Sequence, residues 1–413
     1  MAASGCDTIG EVPISRWDAA ALPATCDALS LLRRRHGGFV VGAELFAHVA
    51  FGVSVSEASA MDPQQRLLLE RGYDALHAGG MDRASLVGRL AGVFLGIAST
   101  DYAQVLAASP AGGSVYAATG SSLSIASGRL SYVLGLQGPC ASYATACSAA
   151  LVASHAARRA LQLGECVSGV ALGVNLMLMP SVGTSFAVAG MTSPTGRCHT
   201  FDRLADGYAR GEACCAASLE LDNQLSVGRL DACGSAVRQD GRSASLTAPN
   251  GLAQQGLLRA SLVDAGITAS ELSCAEAHGT GTSLGDPIEA GSLGAAVLSP
   301  SGSGAAAVGL GSGKANVGHA EPAAGATGLL KLAMQLQHGR TAPNAQLLVL
   351  NPHVGAALGG LSCALPQQVS AFGESGAGGV SSFGYSGTIA HAVLRTRSVM
   401  SAPIAASSLT WRR

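Results

Sequence analysis

The chain has 413 residues, a formal net charge of -1, 48% hydrophobic residues and only 12% charged ones. Globular chains carry about 25% charged residues, so this one has extensive surface to bury, including a subunit interface. The near-neutral balance excludes an electrostatic binder of nucleic acid or of an anionic membrane.

In chain order, the first conspicuous feature is the run Arg33-Arg34-Arg35. It reads as a short solvated turn, with a patch for an acidic carrier protein as the other reading. AGVFLGIA (Ala91 to Ala98) is a buried strand. ASYATA, after Gly138-Pro139, is strand-like and leads to Cys147 and the helix Ser148 to Gly164. The uncharged stretch Val167 to Met191 has the length of a membrane span, but Asn175, Pro180 and its Gly and Ser residues make it a strand, VSGVALGVN, followed by a loop. No membrane insertion is expected. ACCAASLEL (Ala213 to Leu221) is a further buried strand, with Cys214-Cys215 as core, and Ala323 to Gly339 is a helix closed by glycine. Ser299 to Gly304 and Gly376 to Gly379 read as Gly/Ser-rich loops. Strands alternating with helices indicate an α/β fold with buried sheets.

The 11 cysteines form no CxxC pair. Without a signal peptide they fit reduced thiols in a cytosol-like compartment, and no metal site is expected.

Cys147 stands apart. A thiol at the start of a helix faces unpaired backbone N–H groups and the positive end of the dipole, which favours thiolate. The alternative, one more small buried residue, holds for the other cysteines. His278 lies in EAHGTGTSLGDPIE, where Thr280 and Thr282 offer hydroxyls beside it, and His319 lies in KANVGHAEPAAG, with Lys314 close upstream. A neutral imidazole can donate to a thioester carbonyl or an enolate oxygen, and two can share one oxygen. Lys314 reads equally as surface charge and as electrostatic partner. Asp286 and Glu289 read as structural carboxylates that cap the loop or a following helix. GGVSSFGYSGTIAH (Gly378 to His391) is a turn able to aim a backbone N–H at an oxyanion, and His391 reads as an internal hydrogen-bonding residue.

The segments MDPQQRLLLE (Met61 to Glu70), TACSAALVA (Thr145 to Ala153), GRCHTFDRLADGYARGE (Gly196 to Glu212), EAHGTGTSLGDPIE (Glu276 to Glu289), KANVGHAEPAAG (Lys314 to Gly325) and SSFGYSGTIAH (Ser381 to His391) span nearly the whole chain. In them, and in their order, the chain resembles the β-ketoacyl synthases of the thiolase superfamily, above all the ketosynthase domains of modular polyketide synthases. The resemblance implies a duplicated thiolase-like α/β fold in five layers, α-β-α-β-α. Residues 1–223 would form the half carrying the nucleophile and residues 224–413 the half carrying both histidines, in one catalytic unit and a homodimer. It implies Cys147 as acyl acceptor, His278 and His319 as the decarboxylation and condensation pair, and Lys314 as support for His319. The backbone N–H groups of Cys147 and Tyr385 would form the oxyanion hole, and Thr280 and Thr282 would contact pantetheine. The substrates would be acyl and malonyl thioesters on an acyl carrier protein, which supplies phosphopantetheine. No cofactor would be bound by the enzyme itself, and polyketide or fatty acid assembly would be the pathway.

The family pattern opens with an apolar strand ahead of the region GCDTIGEVPISRWD. Here the chain starts almost at that region, so a first-half sheet one strand short is expected. The link Asp222 to Arg229 is short for the family, Ala144 stands where Asp is usual, and Tyr385 where Phe is commoner. Ile389 replaces Asn and is expected to remove hydrogen-bonding capacity near the site. These departures keep other readings open: a non-catalytic subunit dimerised with an active paralogue, or a decarboxylase or acyl transferase without condensation. A cysteine protease would need an orienting residue for its histidine, and the sequence offers none.

Overall fold

The computed structural model describes residues 4–18, 27–221, 230–299, 306–372 and 376–397. Strands β1 (Ala91–Gly96), β2 (Cys140–Tyr143), β3 (Ser168–Asn175) and β4 (Ala213–Glu220) form a first sheet in the order β2-β1-β3-β4. β1 is parallel to β2 and β3, and β4 is antiparallel to β3. A second sheet contains β5 (Leu230–Gln239), β6 (Leu272–Glu276), β7 (Val308–Gly311), β8 (Cys363–Ala364), β9 (Ala377–Phe383) and β10 (Thr388–Thr396), in the order β8-β7-β6-β9-β10-β5. Its first four strands are parallel, and β10 is antiparallel to both β9 and β5.

Helices α1 (Pro63–Ala78) and α2 (Leu123–Leu134) cover the outer face of the first sheet. α3 (Ala149–Gln162) packs on its inner face, α4 (Gly251–Ala265) and α5 (Gly285–Leu293) cover the outer side of the second sheet, and α6 (Ala324–His338) joins α3 between the sheets. The result is the five-layered α-β-α-β-α thiolase-like fold. The middle layer explains the small, uncharged composition. α3 buries Ala149, Ala150, Ala153, Ala157 and Ala160, and a Cβ on Gly96 of β1 would lie 2.4 Å from the Ala150 nitrogen. A helix held this close to a sheet excludes larger side chains. β1 and β3 are buried along their whole length, as their unbroken apolar runs require.

Three local expectations change. Gly376 to Gly379 is no loop, because β9 begins at Ala377, and Gly378 and Gly379 lie within that buried strand. A Cβ on Gly378 would lie 2.5 Å from Leu332 Cδ1, so close packing by α6 is what demands glycine there. The arginine run is not a solvated turn: Arg35 is exposed, whereas Arg33 and Arg34 fold back against the body. Cys147 does not lie in α3 itself but in the 3-10 turn Ala146–Ser148 that precedes it. The link 222–229 and residues 300–304 of the other Gly/Ser-rich stretch lie outside the described residues. Among the described residues no helix is long and apolar enough to cross a membrane.

Candidate active site

Cys147 sits where β2 hands over to α3, in a turn held by side chains. Ser148 Oγ donates to the Thr145 carbonyl at 2.8 Å, and Ser382 Oγ of β9 donates to the Cys147 carbonyl at 2.7 Å. Ala146 has φ 52°, the left-handed region that a side chain tolerates only at a cost of roughly 1–3 kcal/mol. A Cβ on Gly384 would stand 2.5 Å from the Thr145 carbonyl oxygen, so the turn joining β9 to β10 locks directly onto the turn carrying the thiol.

His319 reaches this sulfur, and His278 stands beside His319. His319 Nε2 is 3.0 Å from Cys147 Sγ, and the His278 and His319 ring centroids are 5.4 Å apart, nearly perpendicular. The Glu321 N–H points at His319 Nδ1 at 3.3 Å, and the Phe383 N–H points at His278 Nδ1 at 3.3 Å. Each backbone donor assigns the ring proton to Nε2, the nitrogen that faces the reacting groups. Burial, and after it the charge of Lys314, holds both imidazoles well below their usual pKa, so they are neutral donors. Lys314 is itself buried, which lowers its pKa, while Glu276 and Glu289 oppose that. It is thus a buried group inside the site rather than a surface lysine.

Asp286 and Glu289 are the structural carboxylates the sequence suggested. From α5, Glu289 accepts the N–H groups of His278 and Gly279, each at 2.7 Å. Asp286 accepts from Phe201 at 2.8 Å and Gly281 at 3.1 Å. They fix the loop carrying His278 and the paired hydroxyls of Thr280 and Thr282, 3.1 Å apart. His391 is buried and hydrogen-bonded to Ser381 Oγ at 2.9 Å, an internal residue as read. Ile389 does not border the reacting groups: it is fully buried with Leu257 beneath Phe383, whose ring packs against His278. An Asn there would have to find partners in an apolar cluster.

The thiol differs from expectation. Burial pushes Cys147 up to about 12, and the nearby Glu321 carboxylate pushes the same way. Lys314 and the backbone N–H groups of Tyr385 and Cys147 itself oppose this. Desolvation outweighs the helix-start donors, which the sequence could not weigh because it does not show depth.

Sequence reasoning also missed Arg210 and Glu321. Arg210 Nε and Nη2 grip the Glu321 carboxylate at 2.5 and 2.9 Å, in a pair almost out of solvent. Glu321 has φ 46° and carries the N–H that orients His319. The two residues are far apart in the chain. The only signal was their presence inside two of the family-like segments.

Residues 2–224 match the Beta-ketoacyl synthase, N-terminal domain, and residues 231–348 the Beta-ketoacyl synthase, C-terminal domain. The chain belongs to the β-ketoacyl synthase family. It is 41% identical over 403 residues to mycoketide-CoA synthase of Mycobacterium tuberculosis, covering 95% of this chain and 10% of that protein. It is also 41% identical over 423 residues to a type I polyketide synthase of phenolphthiocerol synthesis from Mycobacterium bovis, covering 99% of this chain and 20% of that one. The chain thus spans a small part of these curated relatives' length. Among solved structures, a ketosynthase domain of Streptomyces albus oxazolomycin biosynthesis superposes with TM-score 0.89 at 30% identity, covering 97% of this chain and 71% of that one. The ketosynthase from module 6 of the Bacillus subtilis bacillaene synthase gives 0.87 at 32% identity, covering 97% and 68%. The two solved structures are ketosynthases, and this chain carries the thiolase-like fold of such carbon–carbon bond-forming acyltransferases.

Proposed function

We propose that this β-ketoacyl synthase condenses an acyl thioester with a malonyl-type extender in polyketide assembly. The observation that carries the reading is the meeting of Cys147 Sγ with His319 Nε2 at 3.0 Å, with His278 beside it. Cys147 accepts the acyl group from the thioester of an acyl carrier protein, and the carrier's thiol leaves. During attack the Nε2–H of His319 and the N–H groups of Cys147 and Tyr385 meet the charge on sulfur and on the tetrahedral oxyanion, donors of a kind worth roughly 3 kcal/mol each. A malonyl unit then enters on its own carrier, loses CO₂ and leaves an enolate. His278 and His319, both neutral, donate to that oxygen, and Lys314 adds a fixed positive field. The carbanion attacks the Cys147 thioester and releases the β-ketoacyl product.

In this reading Thr280 and Thr282 contact the pantetheine arm, phosphopantetheine arrives on the partner carrier, and the enzyme holds no cofactor or metal of its own. The halves 1–223 and 224–413 act as one unit in the cytoplasm. Two copies pair as a homodimer, for which β2, half-exposed at the rim of the first sheet, is the available edge. Purified protein incubated with radiolabelled acyl carrier protein is expected to carry label on Cys147, and to form β-ketoacyl product once malonyl carrier is added. Folded protein that takes no label overturns the reading. Release of acetyl carrier protein alone would mark decarboxylation without condensation.

A further inference from the structure

The arginine run that looked like a solvated turn divides in two. Arg35 is exposed and pairs with Glu11 at 2.7 Å. Arg33 and Arg34 instead turn toward a pocket whose polar side is built from them with Trp17, His36 and Arg210, and whose apolar wall includes Phe39. Neither Cys147 nor either catalytic histidine lines it.

The polar lining is unsatisfied. Among the described residues, Arg33 Nε and Nη1, the Trp17 indole Nε1 and His36 Nδ1 are all buried from solvent with no hydrogen-bond partner. Such groups converging on one pocket are unusual, because each buried polar atom left unpaired costs free energy and a buried unpaired charge costs most. Neighbouring carboxylates are committed elsewhere. Glu321 is gripped by Arg210, Glu11 is engaged by Arg35, and Asp27 caps the helix Ala28–Leu32 by accepting from Ser30. The excess is of donors and of positive charge, so the group that completes it is an acceptor carrying negative charge. A guanidinium is a planar, rigid set of N–H donors whose geometry matches the oxygens of a carboxylate or phosphate. The indole N–H is a donor only, which suits the same ligand.

We propose that this pocket is an oxyanion-binding site, taking a carboxylate or phosphate group on the guanidinium of Arg33 and the indole N–H of Trp17. Arg34, whose Nη1 donates to Thr184 Oγ1 at 3.2 Å, supplies further positive field, while the charge of Arg210 is already met by Glu321. The site is separate from the one proposed for the carrier-bound substrates.

Trp17 and Trp411 are the chain's two tryptophans. In a Trp411→Phe background, Trp17 fluorescence reports the pocket while inorganic phosphate, acetate or chloride is added at constant ionic strength. A saturable change is expected with an oxyanion; which of phosphate and acetate saturates first identifies the source. Arg33→Met is expected to weaken the apparent affinity by at least ~tenfold. It should also raise the anion-free melting temperature, because two buried donor atoms without partners are removed. Arg33→Lys, which keeps charge but loses the planar donor set, should weaken binding as well. Arg35→Met should stay within about twofold, since its pair is exposed. The proposal fails if neither oxyanion saturates, if chloride gives the same response, or if folded Arg33→Met and Arg33→Lys titrate like the parent.

Discussion

In the first half of the molecule β2 passes through the 3-10 turn Ala146–Ser148 into α3. In the second half β7 passes through Lys314–Val317 and the 3-10 turn Glu321–Ala323 into α6. Each 3-10 turn opens on a non-glycine residue with positive φ, 52° at Ala146 and 46° at Glu321. Both stand at the head of a central helix, and the two turns meet. The residue after the strained one differs: it is the proposed nucleophile, Cys147, in one half, and Pro322 in the other. The second turn carries no reacting atom of its own. Its strain aims the Glu321 N–H at His319, two residues back. One backbone device therefore serves twice, once to present a group and once to orient a neighbour.

The halves also differ at their edges. β2-β1-β3-β4 corresponds to β7-β6-β9-β10 in order and direction. β10 continues to β5, with Thr388 opposite Gln239 and Thr396 opposite Leu230, while β4 has no counterpart of β5 among the described residues. β4 is half-buried where β10 is mostly buried. The site is spared this difference because it lies at the ends of β2 and β7, on the other side of each sheet.

Substitutions can break the comparison. The largest effect is expected from Cys147→Ala, which empties the first turn; condensation, followed as labelled product, should fall by ~10⁴-fold or more. Glu321→Ala empties the second. It leaves Arg210 as a buried unpaired charge, and denaturant unfolding should show a loss of about 3–5 kcal/mol. A loss below about 1 kcal/mol would mean that the second turn is not held by its ion pair. Ile389→Asn tests whether β10 tolerates the amide usual in the family. With Leu257 and Phe383 around it, it should cost about 1–3 kcal/mol in the same measurement. The last effect is graded with pH. Because the Cys147 thiol is raised to about 12, its thiolate fraction grows with every unit below that value. Alkylation of Cys147 by iodoacetamide should therefore rise ~tenfold per pH unit between about pH 7 and 10 without levelling off. A plateau near neutral pH would show that the N–H donors outweigh burial.

Much of this was legible beforehand. Long apolar runs gave β1 and β3, because strands covered on both faces need no alternation, whereas β4, expected to be buried with Cys214 and Cys215 as core, is a strand only half-buried at the sheet edge. Gly339, with φ 59°, closes α6 as its sequence suggested. Cys147, His278 and His319 were legible because each stands in a distinctive local setting, and the structure brings all three together. Lys314 was ambiguous until its burial was known. The ion pair of Arg210 with Glu321 was not legible, since no local pattern tells which distant charges will meet. The inward turn of Arg33 and Arg34 was missed for a related reason: a charge run reads as solvated unless something above it closes. Gly378 and Gly379 misled because glycine marks both turns and crowded strands.

The depth of Cys147 has one more consequence. Peroxide attacks thiolates that solvent can reach, and the Cys147 thiol, raised to about 12, is only 9% exposed. Cys6, away from the proposed dimer edge, lies open at the surface and stands ahead of it. Oxidant should mark that sulfur first, so the proposed nucleophile stays in reserve between turnovers while an expendable thiol takes the damage.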